Sequence, residues 1–224
     1  MSVSGGPDIV TDGLGLYLDA SNPDSYPGSG TDWFNLIDTT TSASFTKTPT
    51  FETTTTIGNF TGNGNYSAGT YPYDNSNTEH TYTIAFKCGT ENRAGLRGLW
   101  RFNEDGSYSF VYLQILSDGK LRSVQGTGAT NLITDSTIAY DDDNWHIATF
   151  RIKVGDELVL YVDSDKYVGS TLTSKGTSQN SVQLLNDGGN SFIGEWAYIM
   201  FYNRGLSEQE VLQNFNALRG RFGI

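Results

Sequence analysis

The chain has 224 residues, ordinary for a single β-sandwich or barrel, and long enough to bury roughly 70–75% of its unfolded surface without staples. Charged residues make up 17% and aromatics 13%, and 14 basic against 25 acidic residues leave a net charge of −11. That balance argues against a nucleic-acid partner, because little here could displace counterions from phosphates. No run approaches the ~18 apolar residues of a membrane helix, and a single cysteine permits neither an internal disulfide nor a thiolate zinc cluster.

Taken in chain order, residues 1–9 read as an N-terminal arm and 10–224 as one domain, with no linker, repeat or charge block to split them. Met1 to Asp8 carry no basic patch, apolar core or cleavage pattern. Read as a native start, they are not expected to direct secretion. Gly13 to Asp19 read as a first strand, with Leu14, Leu16 and Leu18 on one face. Asn22-Pro23-Asp24 and Pro27 to Gly30 are loop. The threonine-rich stretch Thr39 to Thr56 suits short, half-exposed strands. In Tyr82 to Cys88 the even positions share a face, so Cys88 is expected to be a buried, inert thiol.

Tyr108 to Leu116 and Lys120 to Val124 form a predicted hairpin across Ser117-Asp118-Gly119. Trp145 to Val154 and Leu158 to Val162 form another across Gly155-Asp156-Glu157. Phe192 to Tyr202 is apolar on both faces, with Glu195 its one charge, and so belongs mid-sheet, covered on both sides. One helix is predicted at the end. Ser207 caps it, Glu210 completes a capping box, and Leu206 and Val211 make a hydrophobic staple. Val211, Leu212, Phe215 and Leu218 give its apolar stripe, and Gly220 is the expected stop. The fold class is therefore all-β: two packed antiparallel sheets plus a short C-terminal helix.

Four segments resemble the laminin-G-like, concanavalin A-like jelly-roll family. They are Asp12 to Ala20 followed by Trp33-Phe34-Asn35-Leu36; Phe60 to Tyr66; Asn144 to Phe150 leading to Leu160-Tyr161-Val162-Asp163; and Phe192 to Ser207. The last is the most specific, since the family also orders a strand, a Tyr-Asn-Arg turn, a Leu-Ser cap and a Glu-containing helix. The likeness spans roughly residues 10 to 222 and implies the two-sheet jelly roll. The opening segment looks like the family's phage and bacterial branch, and the ending Asn216 to Ile224 looks like the termini of such domains in tailed-phage virion proteins. Many relatives carry an Asp-Glu pair just after the glycine of the last strand. Ala197-Tyr198 stands there instead, so that pair's part in any calcium binding is not carried over.

Glycoside hydrolases occur on this fold and need two carboxylates about 5–9.5 Å apart. No strand alternates acids: Glu195 is alone, and Asp163 and Asp165 flank Ser164 in a turn. His80 and His146 are the available imidazoles, with a structural role preferred for His146, and no nucleophile elbow supports a triad. Asp141-Asp142-Asp143-Asn144 is the densest oxygen cluster. A solvated loop is the preferred reading and a weak rim calcium the alternative. For sugar, the loop Thr70 to Asn77 offers Tyr71, Tyr73, Asp74 and Asn75, rings to stack and polar groups for hydroxyls, while Trp100 and Trp196 are read as core.

The expected function is non-enzymatic and cofactor-free: a surface or decoration component of a tailed-phage virion. It would act through symmetric contacts with other virion proteins, with a host glycan as an added partner and neither nucleic acid nor membrane among its partners. A free-standing carbohydrate-binding module is the alternative, and a glycoside hydrolase the third reading.

Overall fold

The computed structural model describes residues 7–38, 40, 42–45, 49–52, 57–63, 66–70, 78–95, 97–104, 110–126, 130–174, 178–184, 186–187 and 190–224. Its first sheet has eight strands. In spatial order these run Asp165–Thr171, Glu157–Val162, Trp145–Lys153, Glu79–Lys87, Ile193–Tyr202, Asn59–Asn63 and Thr50–Glu52, with Leu14–Asp19 sharing the far edge of Ile193–Tyr202. The second sheet runs Asn131–Ala139, Lys120–Gly126, Phe110–Ile115, Arg97–Glu104, Ser178–Leu184 and Tyr66–Thr70. It carries the small Asn186–Asp187 and Asn190–Ser191 pair against Arg97–Glu104. All strand pairs in both sheets are antiparallel except the contact of Ser191 with Gly98. This is the two-sheet antiparallel sandwich that the sequence pattern predicts, with the jelly roll that the family resemblance implies.

Alternation explains the layers. Tyr82, Ile84, Phe86 and Cys88 point into the space between the sheets, where they meet Trp33, Trp100, Trp196 and Phe60. Cys88 is buried as expected, and burial pushes its thiol pKa well up, which keeps it protonated and inert. On the other side of the first sheet Trp145, Ile147, Tyr198 and Met200 form a second core, closed by the helix Glu208–Phe222 through Val211, Phe215 and Phe222. Ile193–Tyr202 is thus covered on both faces, which is why it reads as continuously apolar.

Two expectations are corrected here. Leu14 does not share a face with Leu16 and Leu18: a register shift between Leu14 and Leu16 turns Leu14 into the helix-side core. The helix also passes Gly220 and ends at Phe222, with Gly223 (φ 75°) as its left-handed cap donating to the Arg219 carbonyl. The reason is tertiary. Phe222 packs 5.0 Å from the Trp145 ring and 5.8 Å from Tyr198, so the extra turn is anchored by rings that local propensity does not see. At the other end the capping box forms as read: Ser207 Oγ accepts from the Glu210 amide, and Glu210 accepts from the Ser207 amide. Arg204 also grips the Glu210 carboxylate, and that hydrogen-bonded pair lowers the Glu210 pKa to about 2. No helix among the described residues is long and apolar enough to cross a membrane.

Candidate functional site

Five connections meet at one end of the sandwich and gather most of the acids that the sequence singles out. The 3-10 helix Thr90–Ala94 is pinned there by Asn92. Its amide donates to the Ile193 carbonyl at 2.7 Å and accepts from the Ile193 amide at 2.9 Å, completing the backbone pairing at the start of the central strand. Arg93 reaches Asp141 through both Nε and Nη2. Asp141 in turn packs on Gly119 of the predicted hairpin turn. That glycine has φ 80°, and a Cβ on it would stand 2.2 Å from Asp141 Oδ1, so both the turn and the close approach require glycine.

His146 is the centre of this end. It is 7% exposed, its Nδ1 is 2.8 Å from Asp163 Oδ2, and its Nε2 is 3.0 Å from Asp142 Oδ1. Tyr140 lies edge-on to the imidazole at 4.9 Å and donates its hydroxyl to Asp165. Asp163 takes a second bond from the Ile147 amide, and Asp142 caps the Asn144 amide. Asp163 and Asp143 both have positive φ, a conformation that aspartate tolerates better than most residues.

Burial alone would lower the His146 pKa. The hydrogen bonds to Asp163 and Asp142 outweigh it and hold the imidazole above its ordinary value of 6.5. A raised folded pKa gives stability that is complete below the unfolded pKa and lost as pH rises through the folded one. The urea midpoint of the native chain should therefore fall above about pH 6.5 relative to His146→Gln, whose profile lacks this component. Parallel pH profiles for the two proteins would contradict the assignment.

Chemically this end is an internal scaffold. A hydrolase needs one carboxyl to hold a proton and another to attack or activate water. Here Asp141 faces Arg93, while Asp142 and Asp163 clasp the imidazole. Glu195 is elsewhere, on the helix-bearing face of the first sheet, between Lys87 Nζ at 2.8 Å and Asn59 Nδ2 at 2.7 Å. His80 is fully buried and stacked on Phe201. Among the described residues no group of three or more His, Cys, Asp and Glu side chains is arranged to hold a metal ion. Trp100 and Trp196 are core residues, 1% and 0% exposed, as the sequence suggests. Tyr71, Tyr73, Asp74 and Asn75, the predicted sugar contacts, lie outside the described residues.

A second surface emerges from register alone. Val111, Leu113 and Ile115 face the core, so Tyr112 and Gln114 lie on the opposite face of the second sheet, Tyr112 half-buried and Gln114 covered at 1% exposed. Arg101 stands directly across from Tyr112, and Arg122 directly across from Gln114. Arg122 then makes a bidentate pair with Asp135 on the next strand, at 2.7 and 2.6 Å. The alternation in Phe110 to Ile115 carries the signal for Tyr112 and Gln114. What is missing from sequence is which strands bring arginines alongside.

A model of the laminin G domain family matches residues 95–220. No curated protein matches the chain in sequence. Among solved structures, the binding domain of botulinum neurotoxin DC in complex with SialylT superposes with a TM-score of 0.72 at 10% identity, over 93% of this chain and 52% of that one. The Trypanosoma rangeli sialidase gives 0.71 at 16% identity, over 95% of this chain and 34% of that one. The binding domain of Paraclostridial Mosquitocidal Protein 1 gives 0.71 at 14%, over 92% and 52%. The chain thus spans about half the length of the two binding-domain chains and a third of the sialidase. At these identities the likeness shows the shared fold.

Proposed function

We propose, from the premise that the chain belongs to the laminin G domain family, that it is a non-catalytic recognition module, needing no cofactor, whose ligand is a glycan. The observation that carries this reading is the outward row on the second sheet, where the half-buried Tyr112 stands near Arg101, Arg122 and Asp135. A ring offers a face for sugar C–H groups, and guanidinium and carboxylate groups match the paired hydroxyls of a pyranose. Fold neighbours described as binding domains, one of them in complex with SialylT, support a recognition role. The sialidase likeness is the reason to keep a hydrolase as a second reading. Against it stands the engagement of the rim carboxylates by Arg93 and His146.

The proposed setting is the surface of a tailed-phage virion, as a decoration or appendage protein held by symmetric contacts with other virion proteins and presenting this module to host glycans. The resemblance of Asp12 to Ala20 with Trp33 to Leu36, and of the ending Asn216 to Ile224, supports it. The test pairs a glycan array probed with the full chain and mass spectrometry of purified virions. A defined subset of glycans bound, with the chain present in virions, is the expected outcome. Glycan binding by a chain absent from virions would leave the free-standing carbohydrate-binding module. An empty array would overturn the recognition reading itself.

A further inference from the structure

We propose that residues 141–144 form a proton-operated latch on the end of the sandwich. With the His146 imidazole charged, Asp142 and Asp163 each hold one ring nitrogen and the loop is closed. With the ring neutral, the Asp142 arm releases while the Asp163 arm stays. The device is independent of what the module binds.

Donor count decides the first step. An imidazolium carries two N–H donors and a neutral imidazole one, whereas an ionised carboxylate can only accept. Both His146 nitrogens face carboxylate oxygens, Nδ1 at 2.8 Å from Asp163 Oδ2 and Nε2 at 3.0 Å from Asp142 Oδ1. Only the charged ring satisfies both. When the ring loses a proton, one nitrogen turns a lone pair on an acidic oxygen, and that contact has to open.

The fold selects which one. Asp163 is the better held: its other oxygen accepts the Ile147 amide at 2.8 Å, and its side chain is 22% exposed. The Asp142 side chain is 50% exposed, and the Oδ1 that meets His146 also caps the Asn144 amide. Water replaces the imidazole at Asp142 more readily than at Asp163, so the remaining proton stays on Nδ1.

Charge carries the change into the loop. Besides Asp142 and Asp163, the ring faces Tyr140, whose hydroxyl is shared with Asp165 and Tyr167. Strand Glu79–Lys87 contributes the uncharged Phe86, followed by Cys88, whose thiol burial keeps protonated. Further along the loop, the Asp143 and Glu91 carboxylates crowd Gly89, where a Cβ would stand 2.7 Å from Asp143 Oδ1 and 2.6 Å from Glu91 Oε2. The neighbouring cation Arg93 is occupied by Asp141. Neutralising the imidazole therefore removes the charge that offsets these acids, and Asp143, at φ 63°, stores backbone strain in the closed loop. The two aspartates hold the ring's pKa above 6.5, so the latch opens as pH rises through that raised value and closes as pH falls.

The test is NMR of the full native chain with isotope-labelled nitrogen, followed across the His146 titration. Both ring nitrogens should be protonated below the midpoint, and the neutral ring should carry its proton on Nδ1. Amide relaxation of residues 142–144 should show increased motion above the same midpoint, with the Ile147 amide unchanged. Asp142→Asn should lower the midpoint and abolish the loop response, because the new amide donates to a neutral Nε2. A neutral ring protonated on Nε2 would reverse the order of release and overturn the proposal. So would a loop whose motion ignores the titration, or one that responds equally in Asp142→Asn. The native readouts need no variant, and they decide the matter where Asp142→Asn fails to fold.

Discussion

Phe60→Ala is expected to destabilise the protein by about 3–5 kcal/mol, seen as a lower urea midpoint at unchanged slope. Phe60 is fully buried and sits at the hub of a ring cluster. Tyr26 lies 4.7 Å away edge-on, Trp33 5.0 Å, Phe45 5.2 Å, Phe51 5.6 Å and Trp196 5.7 Å. These rings come from five separate segments of chain, so one deletion loosens the tie between the small Asp32–Phe34 and Ser42–Ser44 pair and the first sheet. Alanine forfeits the transfer of the ring and leaves a cavity that rigid aromatic neighbours cannot close. Against a typical total of about 5–15 kcal/mol, that is about a fifth or more of the stability. Phe34→Ala, at 36% exposed on a neighbouring strand, is the control and should cost about 0.5 kcal/mol or less. Equal costs at the two positions would mean that the cluster is not the organising centre described here.

Phe60 also shows what local pattern conveys. The residue-by-residue alternation in Tyr82 to Cys88 or Val111 to Ile115 is a short-range record of which side meets the core, and those faces are legible from sequence. The capping box at Ser207 and Glu210 is legible for the same reason, because every atom involved lies within four residues. Legibility fails where a distant partner decides. Leu14 turns to the helix side because a shift in its register against Tyr202 and Phe201 sets it there, and nothing in Gly13 to Asp19 encodes that shift. Gly220 is passed over because Trp145 and Tyr198 hold Phe222.

The site divides along the same line. Asp141-Asp142-Asp143-Asn144 is visible as an acidic run, but its roles are not. Arg93 is 48 positions away in the chain and Asp163 lies 17 positions beyond His146, so only the fold shows that Asp141 and Asp142 are engaged. The outward row is the converse. Tyr112 and Gln114 can be read from one strand, whereas Arg101 and Arg122 join them only through cross-strand register.

The docking of the helix rests on a second long-range device, and its removal is expected to cost as much as Phe60. Arg221→Ala should destabilise the chain by about 3–5 kcal/mol, the range for breaking one side of a buried ion pair. Arg221 donates from Nε to the Ile57 carbonyl at 2.7 Å, from Nη2 to the Gly58 carbonyl at 3.0 Å, and from Nη1 to Asp19 Oδ2 at 2.8 Å. One planar fork thus joins the last helical turn, the Ile57–Gly58 corner and the end of the first strand. Truncation would leave the carboxylate of the buried Asp19 with, among the described residues, the Tyr17 and Ser21 hydroxyls and the Ser21 amide for partners.

Lysine at 221 keeps the charge but not the three-way geometry, and should recover only part of the loss. Adding Asp19→Asn to Arg221→Ala removes the stranded anion. The double variant should therefore cost clearly less than the sum of the singles in a urea-denaturation cycle. Additive singles, or an Arg221→Ala cost below about 1 kcal/mol, would show the pair to behave as a surface contact. Docking of the helix would then rest chiefly on Phe222, Phe215 and Val211 and on the buried Asn214 hydrogen bonds to Val10 and Tyr202.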